Sequence, residues 1–104
     1  MGTYRSRFDI IADILQVVSQ NAKKTQIMYQ ANLSYKVLKR YLREMTAASL
    51  IGFETREHLY VLTQKGKNFL ETYSDYYKNN KIAEKRLNAV ENKRKELEAL
   101  CGVK

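Results

Sequence analysis

Proline is absent from this chain of 104 residues, and glycine occurs only four times. Both interrupt regular structure, so their scarcity predicts long uninterrupted elements, with helix the natural form. Cysteine occurs once, at Cys101, which excludes an intrachain disulfide and a Cys-x-x-Cys metal site. Histidine also occurs once, at His58. One histidine without clustered cysteines or carboxylates is a poor metal site, so no metal or cofactor is expected. No apolar run approaches the roughly 18 to 20 residues that a membrane span needs. The segment from Met1 to Arg7 is polar, with no hydrophobic region behind a cleavage site, so no signal peptide is expected. These absences predict a soluble, cytoplasmic protein.

What is present is positive charge. Lys and Arg number 19 against 11 Asp and Glu, a formal net charge of +8. Such an excess favours a polyanionic partner, nucleic acid or an anionic surface. The hydrophobic fraction of 44% allows a core, but a modest one. Chains this short often gain stability by oligomerising.

The hydrophobic spacing divides the chain into six elements. Phe8, Ile11, Leu15 and Val18 share one helical face, which Ile10, Ile14 and Val17 widen. Asn21 fits the end of that helix. Thr25 is read as the cap of a short second helix carrying Ile27, Met28 and Ala31. A tight turn at Asn32-Leu33-Ser34 leads to a third helix capped by Ser34, with Leu38, Tyr41, Leu42 and Met45 facing inward. The period then shortens. Residues 50–54 and 59–62 read as strands, joined by the polar tip from Thr55 to His58. Thr63 then caps a long helix to about Leu100. Its inner positions are Phe69, Tyr73, Tyr76, Asn80, Ala83, Leu87, Val90, Arg94, Leu97 and Cys101. The steps alternate four and three, a heptad seam. At 1.5 Å per residue this helix would be roughly 57 Å long. A second copy of itself is the simplest partner, so dimerisation is assigned to Phe69, Tyr73, Tyr76, Asn80, Ala83, Leu87, Val90 and Leu97.

A short helix, a tight turn and a helix with one basic face make a helix-turn-helix. The major groove is wide enough to admit its second helix. The outer side of that helix carries Tyr35, Lys36, Lys39, Arg40 and Arg43. The cations suit phosphates, and an arginine can also pair bidentately with guanine. Ser34 and Tyr35 stand at the helix N-terminus, the end that points into the groove and favours a phosphate. Thr55 to His58 would form a wing, with Arg56 its cation and Glu54 and Glu57 offsetting it. Arg5, Arg7, Lys23 and Lys24 are further phosphate candidates. A basic helix face is as often merely solvated. Its position on the second helix, with a hairpin directly after it, favours the DNA-binding reading.

Catalytic patterns are missing. No Gly-rich phosphate loop, Gly-x-Ser-x-Gly or His-Glu-x-x-His is present. Tyrosine can act as a nucleophile in strand cleavage, but Tyr73 and Tyr76 fall on the heptad seam, where packing accounts for them. The chain is not expected to be an enzyme, and no small-molecule site is evident.

Three stretches resemble a known family. They are Lys24-Thr25-Gln26-Ile27-Met28-Tyr29, Ala31-Asn32-Leu33-Ser34-Tyr35 and Arg40-Tyr41-Leu42, with Leu62-Thr63-Gln64-Lys65-Gly66 and Phe69-Leu70 after them. They are similar to the small archaeal winged-helix proteins of the Sulfolobus ten-kilodalton "a" group, from about Phe8 to Leu70. The resemblance implies a DNA-binding winged helix dimerised through an antiparallel coiled coil, in an abundant nucleoid-associated protein or a regulator. It carries over Ser34, Tyr35 and Arg40 as DNA contacts, with Lys24 and Thr25 at the start of the second helix. Lys36, Lys39 and Arg43 rest on the helix face alone.

The expected architecture is therefore α+β and mainly helical: a winged helix over residues 1–63 and a coiled-coil dimerisation helix over 64–104. Architectural binding of double-stranded DNA leads. A sequence-specific regulator of the same fold and a protein-interaction module remain open. Asn80 on the seam fixes register at some cost in stability. Asn80→Leu is accordingly expected to raise thermal stability and admit other pairings. An unchanged melting curve with a single unchanged dimer would remove that role.

Overall fold

The computed structural model describes residues 5–102. Its elements are α1 (Arg7–Val18), α2 (Lys24–Gln30), α3 (Tyr35–Ala47), β1 (Ile51–Glu54), β2 (Leu59–Leu62) and α4 (Gln64–Leu100). The order is the one the spacing predicts. The packing divides the chain into two units, one ending at Tyr73 and the other beginning at Ser74.

Local chemistry sets most boundaries in the first unit. Ser6 and Asp9 form a capping box at the start of α1: the Asp9 N–H donates to Ser6 Oγ, and the Ser6 N–H donates to Asp9 Oδ2. Asn21 follows the helix in the left-handed region, at φ 57°. α2 and α3 end alike. Past each C-cap stands one left-handed residue, Asn32 or Ser49. Leu33 N–H then donates to Met28 O at 3.0 Å, and Leu50 N–H to Met45 O at 2.9 Å, the Schellman pattern that satisfies the last free carbonyls. Ser34 caps α3 by accepting from Val37 N–H.

Thr25 does not cap α2. The N-cap is Lys23, with no side-chain hydrogen bond, and Thr25 lies inside the first turn. The reason is long-range. Ala22 pairs with Tyr60 of β2 as an isolated bridge, N–H to O in both directions at 3.2 and 2.8 Å. That pairing holds the chain extended up to Lys23, and the helix begins at once.

β1 and β2 form an antiparallel hairpin with Ile51 opposite Leu62 and Glu54 opposite Leu59. Leu50, expected in the strand, is instead engaged in the α3 terminus. The Glu54 carboxylate closes the tip by accepting from the N–H groups of Arg56 (2.9 Å) and Glu57 (2.6 Å).

Ile14, Leu15, Val18, Ala22, Ile27 and Leu38 are wholly buried, with Met45 beside them, and no buried residue among those described is polar or charged. The inward stripe of α3 is Leu38, Tyr41, Leu42 and Met45, as the spacing predicts. Phe8 departs from the predicted face of α1. It is 48% exposed, its ring 6.4 Å from that of Phe69.

The start of α4 belongs to this unit. Thr63 Oγ1 accepts from Gly66 N–H at 3.0 Å and donates to Ser49 O at 2.6 Å, so one hydroxyl caps α4 and ties it to the end of α3. Phe69 and Leu70 pack on the core, and the Tyr73 hydroxyl donates to Asp9 Oδ1. The compact unit thus includes the start of α4, up to Tyr73. In the second unit α4 continues to Leu100, and every side chain from Ser74 to Leu100 except Glu91 is exposed.

Gly66 is buried because α4 starts directly on the strands. A Cβ there would meet Leu50 O and, at 2.6 Å, Leu62 Cδ1. Leu50 O cannot retreat, since it accepts from Thr63 N–H. Gly66→Ala would gain about 1 kcal/mol of helix propensity and lose about 1–3 kcal/mol to overpacking. A lower melting temperature is expected. A higher one would show that α4 can shift off the strands.

Asp9 gives a pH dependence. The Tyr73 hydroxyl, then the Ser6 N–H and the charge of Arg5, hold its carboxyl below the ordinary value of 3.8, against the opposing effect of burial. A carboxylate depressed in the folded state stabilises above its unfolded pKa, and that contribution is lost as pH falls through the folded value. Tyr73→Phe should therefore melt below the parent protein near neutral pH, and the gap should narrow below about pH 3.8. A gap that stays constant through the acid range would mean that Tyr73 acts by packing alone.

Candidate nucleic-acid interface

The expected contact residues lie on α2, α3 and the hairpin, all in the first unit. Burying Leu38, Tyr41, Leu42 and Met45 turns the opposite side of α3 to solvent, and Lys36, Lys39, Arg40 and Arg43 are all exposed. Together with Val37 these four line one shallow depression along the outer face of α3. Lys39 and Arg43 also line a neighbouring groove with Lys24, Thr46 and Tyr60. Lys24 continues into a third, with Lys23, Thr25, Phe53, His58 and Tyr60. Lys23 leads to the last, at the wing tip, with Arg56, Glu57 and His58. The shared residues make one band from the outer face of α3, across the start of α2, to the wing.

Two expected residues touch directly. Lys24 Nζ donates to Tyr35 Oη at 3.2 Å and stands 4.5 Å from the centre of its ring. This hydrogen bond, then the charges of Lys24 and Lys39, lowers the pKa of the Tyr35 phenol below its ordinary value. A phenol so placed is a stronger hydrogen-bond donor to an anion. It links the first turn of α2 to the first turn of α3, as the tight turn between them requires. Ser34 uses its oxygen on the Val37 N–H and keeps its hydroxyl proton as a donor.

Other cations are engaged by partners within the chain. Arg5, a phosphate candidate by sequence, pairs with Asp13 at 2.9 Å and donates to Ala31 O (2.7 Å) and Asn32 O (2.9 Å). It satisfies carbonyls at the end of α2 and braces the turn against α1. Arg7 pairs with Glu44 at 3.0 Å. Arg40 Nε lies 3.8 Å from the same Glu44, and its guanidinium is 5.2 Å from the Tyr41 ring. Its side chain stays 63% exposed, so Glu44 orients Arg40 without withdrawing it.

Phe53, His58 and Tyr60 in the band were not singled out by sequence, apart from His58 as a loop residue. Phe53 and Tyr60 are cross-strand partners with ring centres 4.9 Å apart, and Phe53 is 45% exposed. Alternation along a four-residue strand does not say which face a neighbouring helix covers, so no local signal marked them. Among the described residues, no three His, Cys, Asp or Glu are grouped to hold a metal ion. No described helix is long and apolar enough to cross a membrane.

Comparison with known proteins gives three findings. A protein of Methanocaldococcus jannaschii with no assigned function is 33% identical over 75 residues, which are 71% of this chain. The chain spans 35% of the length of that curated relative. The crystal structure of Sso10a-2, a DNA-binding protein from Sulfolobus solfataricus, superposes with a TM-score of 0.68 at 23% identity, covering 83% of this chain and 96% of that one. The fold is thus shared with a member of the group that the sequence resembles. Residues 4–81 match the winged helix-turn-helix family, so α1 to β2 and the start of α4 lie inside the matched region. This chain belongs to the winged helix-turn-helix family.

Proposed function

We propose that this protein binds double-stranded DNA as a homodimer, in an architectural, nucleoid-associated role in the cytoplasm, without catalysis. The observation that carries the reading is the basic band. Lys23, Lys24, Lys36, Lys39, Arg40, Arg43 and Arg56 line adjoining grooves on one side of a winged helix, and Glu57 is the one acidic residue lining them. That Sso10a-2, which shares the fold, is a DNA-binding protein supports it.

In this reading α3 enters the major groove. Lys36, Lys39 and Arg43 meet phosphates, which positions the protein without selecting sequence. Arg40, held by Glu44, and Ser34 and Tyr35 at the first turn reach toward base edges. Lys24 and Thr25 sit over the flanking backbone. Arg56 and Lys23 meet the adjacent phosphates from the wing. A cationic surface with few groups placed for base readout favours affinity over sequence discrimination, which suits packaging better than regulation.

The test is duplex binding across a salt series, on random and genomic fragments, with Lys36→Ala/Lys39→Ala/Arg40→Ala beside the parent protein. Binding should weaken steeply with salt, and the triple variant should lose most of its affinity. Removing the phosphate contacts of Lys36 and Lys39 should make the log–log salt slope shallower by about 2 units. One fragment bound far above the rest would identify a regulator instead. Absent binding at low salt, or equal binding by the variant, would overturn the assignment of α3 and leave the protein-interaction reading.

A further inference from the structure

The hairpin carries an aromatic ring on its inward side that the core does not cover. Side chains two apart on a strand share a face. Ile51 and Phe53 of β1 therefore lie on the same side, yet Ile51 is 2% exposed and Phe53 45%. The core ends between them. Beyond it the Phe53 ring lines a groove of about 410 Å³ between the wing and the start of α2.

Two further rings continue this surface. Tyr60, the cross-strand partner, lies 4.9 Å from Phe53 and His58 lies 6.1 Å away, centre to centre, with their planes tilted by 57° and 48°. Neither stacks flat on Phe53. His58 takes φ 57°, a conformation that glycine adopts most easily. The tip carries an imidazole there instead, set beside Phe53.

The facing wall is cationic. Lys23, Lys24 and Thr25 line the same groove, and no carboxylate does. Glu54 follows Phe53 and so falls on the other side of the strand. Its carboxylate is occupied by the N–H groups of Arg56 and Glu57. Open aromatic rings beside ammonium groups form the combination that holds an unpaired nucleotide: the base stacks on a ring, and the flanking phosphates meet the cations. A continuous duplex keeps its bases inside its own stack and offers such a groove only its backbone.

We infer that this groove takes an unpaired base of a DNA strand, stacked on Phe53, with Lys23 and Lys24 on the flanking phosphates. The inference rests on the DNA-binding reading above and deepens it. α3 serves the paired segment, and the groove selects duplex that is gapped or locally melted. Lys24 joins the two surfaces, since it also lines the groove that holds Lys39 and Arg43. Every base has a π face, so the selection is for unpairing and not for sequence.

The full chain would be titrated against two labelled duplexes of equal length, one continuous and one with a short single-stranded gap of thymines. The parent protein should bind the gapped duplex about tenfold more tightly, the effect of one stacked base. In Phe53→Leu, which keeps an apolar side chain without a π face, that ratio should fall toward one. Phe53→Trp should keep it. The chain has no tryptophan of its own, so the fluorescence of this variant reports on position 53 alone, and the gapped duplex should quench it far more than the continuous one. A ratio in Phe53→Leu as high as the parent's, or no quenching of Phe53→Trp at saturation with gapped duplex, overturns the groove as the site. Equal binding of both duplexes by the parent overturns the inference and leaves the duplex reading intact. Binding of neither overturns both.

Discussion

The two hydrogen bonds between Ala22 and Tyr60 connect the halves of the winged helix. They join the segment between α1 and α2 to the inner strand of the hairpin. Ala22 is wholly buried, so losing the pairing would strand polar backbone groups at about 1–3 kcal/mol each. The bridge fixes where α2 starts, and so brings Lys23 and Lys24 beside Phe53, His58 and Tyr60 of the wing. It also sets the first turn of α2 against that of α3, where Lys24 reaches Tyr35. The continuity of the basic band depends on this single bridge.

Charge is distributed by the same economy of contacts. Asp13 is used by Arg5, Glu44 by Arg7 and Arg40, Glu54 by the wing backbone, and Asp9 by Ser6 and Tyr73. Acidic groups in the first unit are mostly spent on internal geometry, and the lysines of the band are left facing solvent. A net charge of +8 becomes a directional field by this sorting. Such a field raises encounter rates with a polyanion and falls with ionic strength.

α4 serves two ends with one period. Its first turns are core: Gly66 lets the helix start against Leu50 and Leu62, Phe69 packs inward, and Tyr73 reaches Asp9. From Tyr76 onward the same spacing carries a seam exposed in the single chain. Ion pairs such as Lys93–Glu96, at 3.3 Å, and Arg94–Glu98 support the helix locally, but pairs of this kind are worth only a few tenths of a kcal/mol each. A partner helix is the term that would stabilise it further.

Much of this was legible in the residues themselves. The inward stripe of α3, the limits of β2, and the caps at Ser34 and Thr63 follow from period and capping, which act within a few residues along the chain. So does the basic face of α3, because burying one side of a helix exposes the other. Other features needed the fold. Lys23 rather than Thr25 begins α2 because Tyr60, far along the chain, holds Ala22. Arg5 and Arg7 look like free cations until the turn after α2 and Glu44 arrive to engage them. Phe69 and Tyr73 lie on the same heptad seam as Tyr76, yet α1 claims the first two within the chain. Sequence alone determined the helices, the strands and the basic face, since those arise from neighbours. Tertiary structure decided which cations remain exposed, which aromatics join the band and where the seam begins, because each depends on hydrogen bonds and packing between residues distant in the chain.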